Sequence, residues 1–559
     1  MPKSKEKPID FKKLGITLKD IELEDKRTSK EIAAEEKSRK KEIVQFVTTM
    51  GLGISVGIVI GVVLFFVKDE KLAIAGGGGV VALLMALKYP YLAIWAFAIY
   101  MPFAGTVTYW VGGGNAVFQL AKDGLAYPAY LAVYQSLKKQ RLPFLMPANA
   151  LKPFMILAAC IALTMLSQNL AQQFSSDPKG KPIAMGVIGI KVLIGYLPLI
   201  TCTYYLLKTK TELLWFTRLH TLLAIACCLL GVLQYQMLSS GACQGTDHLA
   251  GDDLFKATLE YKCLVGGSLV FSPSQNMIRL PGTFVAPWQW AWFLIGNAFT
   301  TFATTFSDAS IKWRAVGFIG LALVFVNSMI SGQRIALLLV PVIVIALLIL
   351  TGQLAKPKTF IPIVGGMSVL IVGAFILFPD VIQGRIDSTI SRWQASPPTA
   401  FIAEQAEHST GGFQPFGHGV GRATNSARVF GEAALIETYY PKLMYEIGLG
   451  TLAFLGLVTA ITVTTFKAYR SLKDKDLRSY GASFWVFVFF ISYQTYYYPL
   501  DVDPVAVYYW MFAGLLLRLP EIDRQESEKK HQALQRLREL LASGQLRRYL
   551  KEKEKKKKR

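Results

Sequence analysis

Stretches of about twenty mostly apolar residues recur along the whole chain, separated by short polar connections, and that rhythm leaves few folds open. The runs fall at 43–67, 72–87, 91–110, 118–137, 153–170, 185–207 and 213–237 in the first half of the chain. They continue at 288–306, 315–330, 335–351, 360–378, 440–466, 483–500 and 505–517. Most are about long enough to cross a hydrocarbon core of about 30 Å, allowing for tilt, and a backbone in lipid must satisfy its own N–H and C=O groups, so the runs read as helices. The expected architecture is all-α, a polytopic integral membrane protein with roughly 12–14 transmembrane helices. A content of 52% hydrophobic residues over a 559-residue chain exceeds what a soluble domain needs.

The formal net charge of +22 raises nucleic acid as a partner, but the basic residues sit in the two tails and in short loops. That distribution reports topology and contact with anionic membrane lipids, not nucleic-acid binding. Lysine and arginine crowd alternate loops: Lys138, Lys139 and Arg141; Lys208 and Lys210; Lys312 and Arg314; Lys356 and Lys358; then Lys467 to Arg478. These loops are expected in the cytosol together with both termini, the first of which lacks the pattern of a cleavable signal. The chain thus divides into a charged tail 1–42, a membrane domain 43–518 and a basic tail 519–559. In the last, Leu534, Leu537, Leu540, Leu541, Leu546 and Leu550 recur at helical spacing ahead of a lysine run, as in a helix lying on the inner leaflet or on a partner.

Two longer loops, 238–287 and 379–439, fall on the opposite side and carry a different chemistry. The second holds Arg385, Arg392, Arg422 and Arg428 and no lysine. A guanidinium presents a planar fork to phosphate oxygens and stays charged at any relevant pH, so this loop suits an anionic ligand. Arg279, before a Pro-Gly turn, and Arg334, in SMISGQRIALLLV, stand at the mouths of two apolar runs on the same side. Cys243 and Cys263 share the first long loop, where an oxidising compartment favours a disulfide. Lys122, Asp123 and Lys191 are charges inside apolar runs, expected to pair with each other or to border a cavity. Zinc-enzyme, phosphate-loop and dinucleotide motifs do not occur, which disfavours a nucleotide-driven pump or a metal enzyme.

Three segments, RLPGTF with Pro287 shortly after, SGQR before an apolar run, and PFGHGVGR followed by ETYYPKLMYEIGLG, together resemble the O-antigen ligase and O-antigen polymerase superfamily of bacterial surface-polysaccharide assembly. The likeness spans about 213–466. It implies a multi-pass protein of the bacterial plasma membrane that moves a glycan from a polyprenyl pyrophosphate carrier to the hydroxyl of a glycan or lipid-glycan acceptor, on the outer face, with no cofactor and no metal. Other polysaccharide-assembly proteins are implied partners. Arg279 and Arg334 match the pyrophosphate-binding positions by motif; Arg392, Arg422 and Arg428 are less securely aligned helpers.

At the start of the last signature helix the family's ligases carry histidine, where this chain has Glu437. A carboxylate is able to serve as the base instead, and His418 in the glycine loop is the alternative. A base facing the leaving pyrophosphate across the anomeric carbon gives inversion. Tyr439, Tyr440, Tyr497 and Asp501 offer aromatic faces and a carboxylate for acceptor sugars. Two competing readings stay open: a carrier of small anions or other solutes, and a noncatalytic subunit of a polysaccharide export complex.

Overall fold

A computed structural model of the chain describes residues 29–546, apart from 145–146, 252–253, 255–259, 274–275, 356, 358–360, 362–364, 367, 369–371, 374–375, 377–378, 411 and 413. Among the described residues the chain is 77% helical with almost no strand, as the all-α class requires. It forms two compact units, one from the chain ends (up to Thr49 and from Pro520 on) and one comprising Met50–Leu519. In the first, Arg524 pairs with Glu521 and Glu528, and Lys529 with Glu526, at one-turn spacing on exposed helix.

The longer helices are α1 (Ser29–Val67), α2 (Glu70–Lys88), α3 (Pro90–Tyr100), α4 (Asp123–Lys139), α5 (Ala148–Thr164), α6 (Pro182–Ile194), α7 (Leu199–Leu206) and α8 (Lys210–Ser239). They continue with α9 (Pro287–Ser307), α10 (Ile311–Ile330), α11 (Arg334–Leu350), α12 (Pro379–Ala395), α13 (Pro398–Thr410), α14 (Tyr439–Ile447), α15 (Gly450–Arg470), α16 (Lys475–Tyr493) and α17 (Asp503–Ala542). Among the described residues, 9 helices are long and apolar enough to cross a membrane, fewer than the roughly 12–14 expected. The run 360–378 lies largely outside the described residues. The run 118–137 yields α4, which begins only at Asp123, and α11 has 17 residues.

The second unit is organised around α9, which packs against α8, α10, α11 and α16. Every residue of α9 from Trp290 to Ser307 is buried, its threonines and Asn297 included. Its interior polar groups turn back on the helix itself: Thr301 Oγ1 donates to Asn297 O at 2.6 Å and Thr305 Oγ1 to Thr301 O at 2.7 Å. A capping box starts α8, with Thr209 and Glu212 each receiving the other's backbone N–H.

Beyond α8 the first long loop doubles back through a disulfide between Cys243 and Cys263 (Cα–Cα 5.7 Å) and an antiparallel pair, β1 (Val270–Ser272) and β2 (Met277–Arg279). Cys263, Leu269 and Leu280 form a small apolar core beneath it.

The expected single span 440–466 is two helices. Gly448, at φ +53°, ends α14, and a Cβ there would lie 2.3 Å from Pro415 O, so the chain breaks where the glycine loop crosses it.

Candidate functional site

Arg279 closes β2, and the next residue ties its segment to the start of α11: Leu280 N donates to Ser331 O at 3.0 Å. Gly332 lies against the arginine's stem, so that a Cβ on it would fall 3.3 Å from Arg279 Cγ. Two motifs some fifty positions apart in sequence are thereby brought edge to edge. Arg334 Nε and Nη2 both donate to Ser388 Oγ of α12, at 3.1 and 2.8 Å, which anchors the second long loop to the start of α11. Arg279 Nε is buried without a hydrogen-bond partner among the described residues. Burial pulls its guanidinium below the ordinary value, with Arg334 acting in the same direction and Tyr497 and Glu437 against it. Four residues singled out from the sequence, Arg279, Arg334, Glu437 and Tyr497, therefore share one electrostatic neighbourhood.

Glu437 is held there by backbone. Its N–H donates to Gln405 Oε1 of α13 at 2.9 Å, its carbonyl accepts from Tyr497 N at 2.9 Å, and Tyr439 N donates to Thr495 O at 2.7 Å. Tyr497 and Tyr498 both take positive φ, +60° and +35°, an uncommon state for bulky side chains that costs ~1–3 kcal/mol each. The turn presents Tyr498 to Glu437: the phenol is pushed up to about 12, by burial first and then by that carboxylate, with Arg428 opposing. Arg428, exposed on the short helix Asn425–Phe430, thus borders the same cluster.

The glycine loop serves as a support beside this cluster. Gly417, Gly419 and Gly421 all adopt positive φ, which only glycine enters without strain. Asn169, in a π-turn between α5 and α6, clamps Val420 from both sides (Nδ2 to Val420 O, and Val420 N to Oδ1, each 2.9 Å). Arg422, expected to help bind pyrophosphate, is instead committed to the scaffold: Nε to Gln172 Oε1 at 2.7 Å, Nη1 to Lys179 O and Nη2 to Pro178 O, each at 3.2 Å. His418 stacks on Tyr445, with centroids 4.4 Å apart, and faces a cavity of about 400 Å³ with Gln172, Asp177, Arg422 and Glu432. Arg279, Arg334 and Glu437 do not line that cavity, so the alternative base stands apart from the arginine pair.

Other expected contacts also move. Tyr439 is 1% exposed, packed edge-on against Phe454, and is core in place of sugar contact. Tyr440 spends its hydroxyl on Ser492 O. Arg385 and Arg392 lie on α12, their side chains outside the described residues.

The sequence reading missed Lys442, buried on α14 between Glu446 (3.7 Å) and Asp501. Glu446, the signature glutamate, accepts from Ala423 N at 2.8 Å and Thr424 Oγ1 at 2.9 Å, so it ties α14 to the glycine loop. Burial pushes the Asp501 carboxyl up, against Lys442. The charges inside apolar runs do pair: Lys191 with Asp123 at 3.2 Å, and Lys122 with Asp503 at 2.9 Å, while Tyr196 donates to both carboxylates at 2.8 and 3.1 Å. The signal for Asp503 was its place at the start of a long apolar run, where a charge needs a partner.

Fold and site together define a helical membrane protein in which two long loops join at a cluster of arginines and one carboxylate. Compared with models of known protein families the chain matches none, and no curated protein matches it.

Proposed function

We propose that this chain is a membrane glycosyltransferase of the O-antigen ligase or polymerase type, which transfers a glycan from a polyprenyl pyrophosphate carrier to an acceptor hydroxyl on the extracytoplasmic face of a bacterial plasma membrane, with both termini in the cytosol. One observation carries the reading: the Leu280–Ser331 hydrogen bond joins the segments that bear Arg279 and Arg334, and Arg334 and Glu437 both lie in electrostatic range of Arg279. Paired guanidinium forks stabilise charge that grows on a pyrophosphate as it leaves, and do so without metal or nucleotide. Glu437 takes the proton of the acceptor hydroxyl as that oxygen bonds to the anomeric carbon; the bond from carbon to pyrophosphate oxygen breaks with its electron pair, and the arginines hold the product. Attack opposite the leaving group inverts the anomeric centre.

The test is incubation of the purified protein with lipid-linked oligosaccharide and an acceptor glycan. Longer glycans and free polyprenyl pyrophosphate are expected. Uptake of a small anion into vesicles without either product would identify a carrier instead, and neither result would identify a noncatalytic subunit.

A further inference from the structure

A second cavity, of about 220 Å³, opens beside the turn that presents Tyr498, and its lining differs in kind from an anion site. Trp288, 42% exposed, forms part of the wall, joined by the amides of Gln119, Gln289 and Asn425 and by Ser426 and Tyr498. The charged groups that reach it are already matched. Lys122 is paired with Asp503, Lys191 with Asp123 and Asp503, and Asp501 with Lys442. An anionic guest would have to break one of these pairs, and a buried cation stripped of its partner is costly. Yet one acceptor is left over: Asp501, its side chain 8% exposed, lines the cavity, and its buried Oδ1 has no hydrogen-bond partner among the described residues. A buried acceptor without a donor is unfavourable until something donates to it.

We infer that this cavity is a binding subsite for about one neutral sugar ring, with Trp288 as the apolar platform and Asp501, Asn425 and Gln289 as hydroxyl partners. An aromatic face beside convergent amides and a carboxylate matches a pyranose, which has apolar C–H faces and a rim of hydroxyls. Its size is below the ~300–1,000 Å³ usual for ligand clefts, which sets the limit at a single ring. Asn425 Nδ2 donates to Tyr498 OH at 3.0 Å, and Tyr498 in turn feels Glu437, so a ring held here has its hydroxyls on the side of the proposed base. As the acceptor's place, the subsite rests on the transferase reading; as a neutral-sugar site it stands on the cavity alone.

The test uses the purified full chain and the methyl glycosides of neutral hexoses and of a hexuronic acid, with binding followed by saturation-transfer NMR and by indole fluorescence. Neutral glycosides should bind saturably, Trp288→Ala and Gln289→Ala should each weaken them about tenfold, the loss of one to two contacts, and the hexuronide should bind more weakly. Unchanged circular dichroism and elution volume establish that each variant is folded. Tighter binding of the hexuronide, no saturable binding to folded protein, or wild-type affinity in both variants overturns the subsite. Sugar binding that depends on Trp288 without any glycan transfer overturns the transferase reading and leaves the subsite standing; transfer with acceptor affinity unaffected by both variants does the reverse.

Discussion

At the scale of residues, the account rests on geometry that charge alone does not provide. Arg334 is fixed in orientation by two nitrogens on Ser388, and Arg279 keeps a buried Nε with no partner among the described residues. Replacing either with alanine should lower transfer by ~10²–10³-fold, the usual cost of losing one preorganised donor to a developing charge. Lysine at 334 should rescue poorly, since it supplies charge without the fork; wild-type turnover by Arg334→Lys would show that plain charge suffices. His418→Ala should transfer at the normal rate, because that ring faces another cavity. Arg279 and Arg334 were legible in the sequence because each stands between a turn and an apolar run. Arg422 was misread because a sequence shows a charge but not where its donors are spent. Lys442 was invisible because YYPKLMYEIGLG places it where a span's polar rim was expected.

At the scale of elements, the break between α14 and α15 and the ion pairs at the foot of α17 hold the site in place. Gly448→Ala must accept a left-handed backbone and a Cβ 2.3 Å from Pro415 O. The conformational penalty alone is ~1–2 kcal/mol and the clash adds to it, so thermal unfolding of the purified protein should begin at lower temperature. An unchanged midpoint would mean that the loop and helix are not locked as described. Asp503→Asn leaves Lys122 and Lys191 short of a counter-ion, a loss of ~3–5 kcal/mol that should appear as poor recovery of folded protein. Recovery equal to wild type would show that the pairs are not buried in the membrane-embedded protein. Apolar runs predicted elements such as α8 and α10 closely, because length and hydropathy suffice for a helix in lipid. They failed at Gly448, because a break set by a distant carbonyl leaves no mark on local hydropathy.

At the scale of the whole molecule, the helix count fell from the expected range because burial inside protein does not require the composition that lipid requires. α9 is buried from Trp290 to Ser307 yet carries four threonines and Asn297, and is not among the 9 spans that hydropathy selects among the described residues. The compact unit Met50–Leu519 contains every group assigned to transfer. A chain ending after Leu519 should therefore keep transferring glycan in a detergent assay; a correctly inserted but inactive truncation would contradict that division. The central claim, that Glu437 and the arginine pair form one reacting centre, is tested most directly by the rate at which purified protein releases polyprenyl pyrophosphate from a lipid-linked glycan donor in the presence of acceptor. Wild type should turn over, and Glu437→Gln should be slower by ~10²–10⁴-fold with donor binding retained. A normal rate in Glu437→Gln, or no release by the wild-type protein with any acceptor, would contradict the account.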